Sequence, residues 1–327
     1  MGATFTYLLD KIRDAPFSAE PFRHVEIQDF LSPEHFSELC GDPQIRLPVA
    51  ERTEDLIEQL GEAGYKLIPF PGCVTSADEY LRWFNSGWGH KVHGATESFG
   101  IVYRLADYRG SLLTELSDFM NSYEAKEALV EKFQLDRPVT IDYGVQKYLH
   151  GYEISPHPDI RQKALTWMLN LNPGDHSEDL EIHTHYLRLK KEWAFIGEFW
   201  RGNPTFERDW LPWAWCETIK QQRRNNSIVI FSPANDTIHA VKANYDHLQT
   251  QRTQLYGNLW YEPQTLPKVD FARFNISGEI QSALERTART PATVQQLKTF
   301  YWAQLSHWRN LRQEIDSVLR RHRGLPG

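Results

Sequence analysis

The residues of this chain best placed to do chemistry are His157-Pro158-Asp159. An imidazole nitrogen and a carboxylate oxygen both ligate first-row transition metals. In an extended segment, residues two apart point to the same side, so His157 and Asp159 can address one ion. The pair alone carries little weight in a chain with 13 histidines, where a turn histidine bonded to a nearby carboxylate is the plain alternative. Residues further along the chain strengthen it. His239 comes just after the apolar run Ile228-Val229-Ile230-Phe231, and Arg252 opens a further strand-like run. Two imidazoles and one carboxylate on one face of an octahedral ion leave three adjacent positions open, the facial arrangement of non-haem Fe(II) centres. His183-Thr184-His185 offers a second histidine pair, which with His239 would make a cupin-like metal set.

Such a constellation needs a rigid frame, and from Val139 onward the sequence reads as strands. TIDYGVQKYL, KALTWMLNLN, DLEIHTHYLRL, NSIVIFSP and QRTQLYGNLWY succeed one another with polar turns such as NPGD between them, the pattern of an antiparallel sandwich or barrel. Residues 1–138 read as a support region. Phe22, Val25 and Ile27 form a short strand, Ser32 is an N-cap with Pro33 in the first helical turn, and Leu112, Leu113, Leu116, Phe119 and Met120 recur at helical spacing. Within the catalytic core, 139–263, an insert at 192–226 carries Trp193, Trp200, Trp210, Trp213 and Trp215. Long inserts of this kind serve as covers or partner surfaces, so it reads as a substrate lid or a brace for the sheet. Residues 264–327 read as a helical extension, with Val294, Leu297, Tyr301, Leu305, Trp308, Leu311, Ile315 and Val318 on one stripe. That stripe packs on the core or makes a homodimer.

Charge and composition narrow the partners. Lys and Arg number 36 against 43 Asp and Glu, a net charge of −7, which argues against general nucleic-acid binding and leaves a small-molecule or protein substrate as the default. The tryptophan-rich insert, able to close over a compact ligand, favours the small molecule. No apolar run reaches the ~18 residues of a membrane span, and the N-terminus lacks the pattern of a secretion signal. Cys40, Cys73 and Cys216 contain no CxxC, which fits buried reduced thiols in the cytoplasm.

Over Asp142 to Tyr261, and more weakly over Pro21 to Leu39, the sequence resembles the 2-oxoglutarate and Fe(II)-dependent dioxygenases, in particular their prolyl 4-hydroxylase-like branch. Tyr148 precedes His157-Pro158-Asp159, KALTWMLNLN matches the second strand, Asp179-Leu180-Glu181 the third, His239 the distal ligand and Arg252 the basic residue. Gln254 stands where that basic residue is usual, and 252 and 254 share strand parity. The resemblance implies a mainly β fold with flanking helices around a double-stranded β-helix (jelly-roll) core. It also implies Fe(II) on His157, Asp159 and His239, with 2-oxoglutarate and dioxygen as cosubstrates. Arg252, Tyr148 and Asn170 would hold 2-oxoglutarate, and Trp200, Trp210 and Trp260 are the candidate substrate contacts. Hydroxylation of a natural-product or amino-acid-like molecule is the expected outcome. Against this stand a cupin-type metalloenzyme that uses His183, His185 and His239 without 2-oxoglutarate, and a non-catalytic jelly-roll binding module.

Overall fold

The alternation of apolar and polar residues after Val139 resolves into two antiparallel sheets. The computed structural model describes residues 3–70, 73–89 and 95–262, all within the unit Met1–Pro263. The expected helical extension at 264–327, with its proposed homodimer contact, lies outside the described residues. The first half contributes helices α1 (Tyr7–Asp14), α2 (Pro33–Gly41), α3 (Thr53–Glu62), α4 (Ala77–Ser86), α5 (Ser111–Met120) and α6 (Tyr123–Phe133). It also contributes strands β1 (Phe17–Ser18), β2 (His24–Ile27), β3 (Tyr65–Leu67) and β4 (Val102–Leu105). The second half runs β5 (Val139–Tyr148), β6 (Glu153–His157), β7 (Lys163–Asn170), β8 (Thr184–Leu189), α7 (Phe195–Gly202), β9 (Cys216–Gln222), β10 (Ile228–Phe231), β11 (His239–Lys242) and β12 (Arg252–Tyr261).

One sheet has eight strands in the order β1-β2-β10-β7-β12-β5-β4-β3, and the other has four in the order β6-β11-β8-β9. The chain after Val139 therefore crosses between sheets repeatedly, with β5, β7, β10 and β12 in the larger and β6, β8, β9 and β11 in the smaller. The larger sheet has two distinct faces because side chains alternate along a strand. Along β12, Arg252, Gln254, Tyr256, Asn258 and Trp260 all line one cavity. Their neighbours Leu255 and Leu259 join Val145, Trp167 and Leu169 in the main apolar core with Leu8, Ile12, Leu56, Leu60, Leu113, Leu116 and Leu129 of the helices. Each such side chain, fully withdrawn from water, contributes about 1.5–3 kcal/mol. The helices thus hold the sheet from behind and leave its other face free for function.

Several local expectations meet the structure directly. Ser32 accepts a hydrogen bond from the His35 N–H at 3.2 Å and α2 starts at Pro33. Leu113, Leu116, Phe119 and Met120 are the buried stripe of α5. Others shift. The strands of the support region number more than the one expected at Phe22 to Ile27, since β1 to β4 extend the larger sheet on both sides. Where a strand is expected at Asp179-Leu180-Glu181, Ser177–Asp179 forms a 3-10 turn and β8 starts only at Thr184. The second half of the insert is strand β9, at the edge of the smaller sheet, where alternation is weak because one edge faces solvent. Among the described residues no helix is long and apolar enough to cross a membrane, and the three cysteines are buried and free.

At the centre of the larger sheet Gly257 faces Trp167 across β12 and β7. A Cβ there would stand 2.2 Å from the indole, which is itself fully buried. Gly257→Ala should therefore lower stability by about 1–3 kcal/mol through overpacking, read as a lower urea midpoint at unchanged slope. An unchanged midpoint would mean that the Trp167 ring moves aside freely.

Candidate metal centre

His157 is the last residue of β6 and His239 the first of β11, and antiparallel pairing sets them directly opposite each other. Their ring centroids lie 4.3 Å apart. The His157 Nδ1–H donates to Ser155 O at 2.8 Å, and the His239 Nδ1–H donates to Thr237 O at 3.0 Å. A carbonyl can only accept, so both protons sit on Nδ1 and both Nε2 lone pairs turn inward. Asp159 lies beyond the end of β6 with a positive φ of 51°, a left-handed conformation that Asp tolerates better than most residues. The turn brings its carboxylate back between the rings, with Oδ1 3.6 Å from His157 Nε2 and Oδ2 3.8 Å from His239 Nε2. The three ligand atoms all fall within 4.8 Å of one another. Among the described residues this is the one such cluster of at least three potential ligands.

The carboxylate is held in place by its neighbours. Lys163 Nζ donates to Oδ1 at 2.6 Å and Thr166 Oγ1 to Oδ2 at 2.6 Å, while Lys163 also reaches the Tyr256 hydroxyl at 2.9 Å. Burial alone would raise the Asp159 pKa, but the Lys163 ammonium, with lesser help from the neighbouring imidazoles, outweighs it and holds the carboxyl well below its ordinary range. Burial, aided by His157, pulls His239 down to about 3 against the pull of Asp159. His239 is therefore a neutral imidazole, the form that binds metal. The donor set of two neutral imidazoles and one anion fits a divalent ion with open positions.

A cavity of about 490 Å³ runs from this cluster between the sheets. Arg252 lines it at 2% exposure. Its Nε donates to Ile182 O, its Nη2 donates to Thr184 Oγ1 at 3.1 Å, and its guanidinium lies 4.3 Å from the centre of the Tyr148 ring. Among the described residues its Nη1 has no partner, which a buried guanidinium does not normally tolerate. Tyr148 sits opposite Arg252 in the β5–β12 register and also lines the cavity. Burial raises its pKa and keeps the hydroxyl protonated. Asn170 is placed differently from the expectation. Its Nδ2 donates to Gln222 O and Arg224 O, its Oδ1 accepts from Gln254 Nε2 at 2.7 Å, and it is absent from the cavity wall. With both donors committed, it steadies Gln254, which does line the wall.

The tryptophans divide similarly. Trp210 and Trp260 line the cavity, whereas Trp200 is buried in an apolar cluster with Leu187, Leu211, Cys216, Ile238 and Ala240, behind rather than within the site. The insert is tied to the ligand-bearing loop. Leu211 N–H donates to Pro156 O at 2.7 Å, and the Arg161 guanidinium donates to Trp200 O and Phe206 O, both at 2.9 Å. The cupin-like set does not form. His239 pairs with Tyr186 across β8, so His185, one residue along, faces the other side of the sheet. There His185 bonds Thr218 Oγ1, while His183 bonds Glu178 O. The sequence points to Arg208 only as one of four insert arginines, with Arg201, Arg223 and Arg224, that could pair with a carboxylate or phosphate, and sequence reasoning passes over Lys163, Thr166 and Tyr256. Only Tyr256 carries a usable signal, its shared parity with Arg252.

No family model matches the chain, and no curated protein matches it. Solved structures to which it is similar include a Pseudomonas putida prolyl-4-hydroxylase, at 11% identity and TM-score 0.40 over 79% of this chain and 100% of that one. A prolyl hydroxylase from Trichoplax adhaerens, in complex with a hypoxia inducible factor oxygen degradation domain peptide fragment, matches at 16% identity and TM-score 0.30 over 65% of this chain and 94% of that one. An oxidoreductase of the 2OG-Fe(II) oxygenase family from Burkholderia pseudomallei matches at 12% identity and TM-score 0.29 over 66% and 94%. With identities and scores at this level, the functional reading rests on the chain's own residues.

The centre makes two outcomes testable. His157→Ala or Asp159→Ala should abolish Fe(II) retention in equilibrium dialysis, and Lys163→Met should weaken it about 10- to 100-fold by freeing the carboxylate; wild-type retention in both ligand variants would remove the triad. The second concerns pH. Burial depresses His239 to about 3, and His183 and His247 to about 4. Unfolded histidines take up protons near pH 6.5 while these three do not, so protonation favours the unfolded chain as pH falls. Stability should be full above about pH 6.5 and decline from there toward pH 4, seen as a falling Tm in a pH series of the metal-free protein. A flat Tm through that window would contradict it.

Proposed function

We propose that this chain is a non-haem Fe(II)- and 2-oxoglutarate-dependent oxygenase on a double-stranded β-helix, hydroxylating a small natural-product or amino-acid-like substrate. The observation that carries the reading is the union, in one cavity, of an inward-facing His-Asp-His cluster and a buried arginine whose Nη1 lacks a partner among the described residues. The strand alternation between an eight- and a four-stranded sheet supports the jelly-roll assignment. His157, Asp159 and His239 would hold the iron, and Arg252 the distal carboxylate of 2-oxoglutarate through a charge-assisted hydrogen bond. When bound, iron, 2-oxoglutarate and dioxygen supply the oxidising chemistry, with succinate as coproduct.

The protein's own part is positional. Lys163 and Thr166 fix the rotation of the Asp159 carboxylate, and the backbone carbonyls of Ser155 and Thr237 fix the two imidazoles. Tyr148 keeps its proton, offers a hydroxyl beside Arg252 and stacks on the guanidinium. Asn170 acts one step back, through Gln254. Phe70, Met168 and Tyr256 give the middle of the cavity apolar walls that exclude water and strengthen every charge interaction inside. Asp159 would occupy, on a bound iron, the position that halide-using relatives leave open, which favours hydroxylation over halogenation. Buried, unpaired thiols fit a reducing compartment, and we keep the cytoplasm as the working location.

Anaerobic addition of 2-oxoglutarate to the Fe(II) protein should raise a visible charge-transfer band. A binding module without iron chemistry would give none. Arg252→Gln should raise the half-saturating 2-oxoglutarate concentration more than roughly 100-fold, matching the roughly 3–5 kcal/mol lost when one partner of a buried ion pair is removed, while Fe(II) affinity stays unchanged. The same effect from Lys242→Ala, with Arg252→Gln silent, would assign the anchor elsewhere.

A further inference from the structure

The insert places a second buried arginine on the cavity wall. Arg208 is 7% exposed and lines the same cavity as the metal cluster. Its backbone N–H bonds Glu207 Oε1, yet among the described residues its guanidinium makes no hydrogen bond or ion pair, and its Nε is a buried donor without a partner. Burial and the Arg161 cation work against its charge, and the carboxylates of Glu207, Asp159 and Asp236 only partly offset them. Arg208 and the metal cluster share this cavity with Arg252, and Arg252 is engaged by Ile182 and Thr184 beside Tyr148. A buried guanidinium with donors left unpartnered is unfavourable. Two such guanidinium groups in one cavity call for two anions, and 2-oxoglutarate accounts for one.

We propose that Arg208 anchors the substrate and that the substrate is a carboxylic acid with an apolar body. This rests on the oxygenase reading and names the class of molecule it acts on. Two features select a carboxylate over a phosphate. The nearby Arg161 guanidinium is already spent on the carbonyls of Trp200 and Phe206, so Arg208 brings a single uncommitted cation, matched to one negative charge. The same cavity carries apolar wall at Ile160, Trp210 and Trp260, which suits an aliphatic or aromatic body. The acid group seated on Arg208 would then hold a C–H bond of that body against the metal face.

The test uses matched probes, phenylacetate against phenylacetamide and L-leucine against L-leucinamide, on the full chain with saturating 2-oxoglutarate so that Arg252 is occupied. Acid probes should raise Tm and perturb the spectrum of the anaerobic Fe(II) protein, and amides should not. Arg208→Gln should weaken acid binding about 10- to 100-fold, the loss expected for a hydrogen bond to a charged group, while half-saturation by 2-oxoglutarate stays unchanged. Without any ligand, Arg208→Met should raise Tm, because it removes an unpaired buried charge. A lower Tm in that variant would make the guanidinium a structural strut and overturn the proposal. So would a lack of acid preference in every pair, or an Arg208→Gln defect in 2-oxoglutarate binding alone. Thermal shifts of the metal-free protein by the same pairs read the Arg208 site even if no charge-transfer band forms, so failure of the oxygenase reading is seen separately.

Discussion

Everything at the metal face depends on the register of one short strand pair. β6 and β11 are five and four residues long, yet their pairing places His157 against His239. A slip by one residue would turn one imidazole to the opposite face of the sheet. The register has few cross-strand bonds of its own, and a bulge interrupts it between His239 and Val241. It is held from both sides: β8 pairs with β11 through Tyr186, His185 and Thr184, and the insert bonds the backbone of Pro156. The smaller sheet thus acts as a clamp whose purpose is alignment.

The larger sheet solves a different problem with the same period of two. A single strand, β12, must be apolar toward the helices and chemically rich toward the cavity, and its alternation separates the two demands residue by residue. Leu255 and Leu259 belong to the core, while Arg252, Gln254, Tyr256, Asn258 and Trp260 face the site. Gly257 is the compromise between them, small because the Trp167 indole occupies the space its side chain would need.

The long strands are legible in the sequence because their apolar alternation is long enough to stand out. β5, β7 and β12 match the runs read from it, as do the four-residue, wholly apolar β10, the cap at Ser32 and the stripe of α5. β6 and β9 are not legible, since β6 carries a proline and ends at its metal-facing histidine, and β9 is an edge strand with a mostly exposed pattern. His157, Asp159 and His239 are readable from residue type and order, but the way Asp159 reaches them is not. The extended geometry expected for His157-Pro158-Asp159 is replaced by a left-handed turn, which no spacing rule reveals. Lys163 and Thr166 escape for the reason most supporting residues do: they act on a side chain rather than on a ligand, and their types are ordinary. Asn170 and Trp200 mislead because residue type alone cannot tell a cavity wall from the layer behind it.

Arg161 stands two positions beyond Asp159 and grips the carbonyls of Trp200 and Phe206. The backbone that carries the one anionic ligand is therefore also the anchor point of the insert. The insert and the loop that presents Asp159 are thus joined by a fork of N–H donors, so that neither segment can shift without straining the hydrogen bonds of the other.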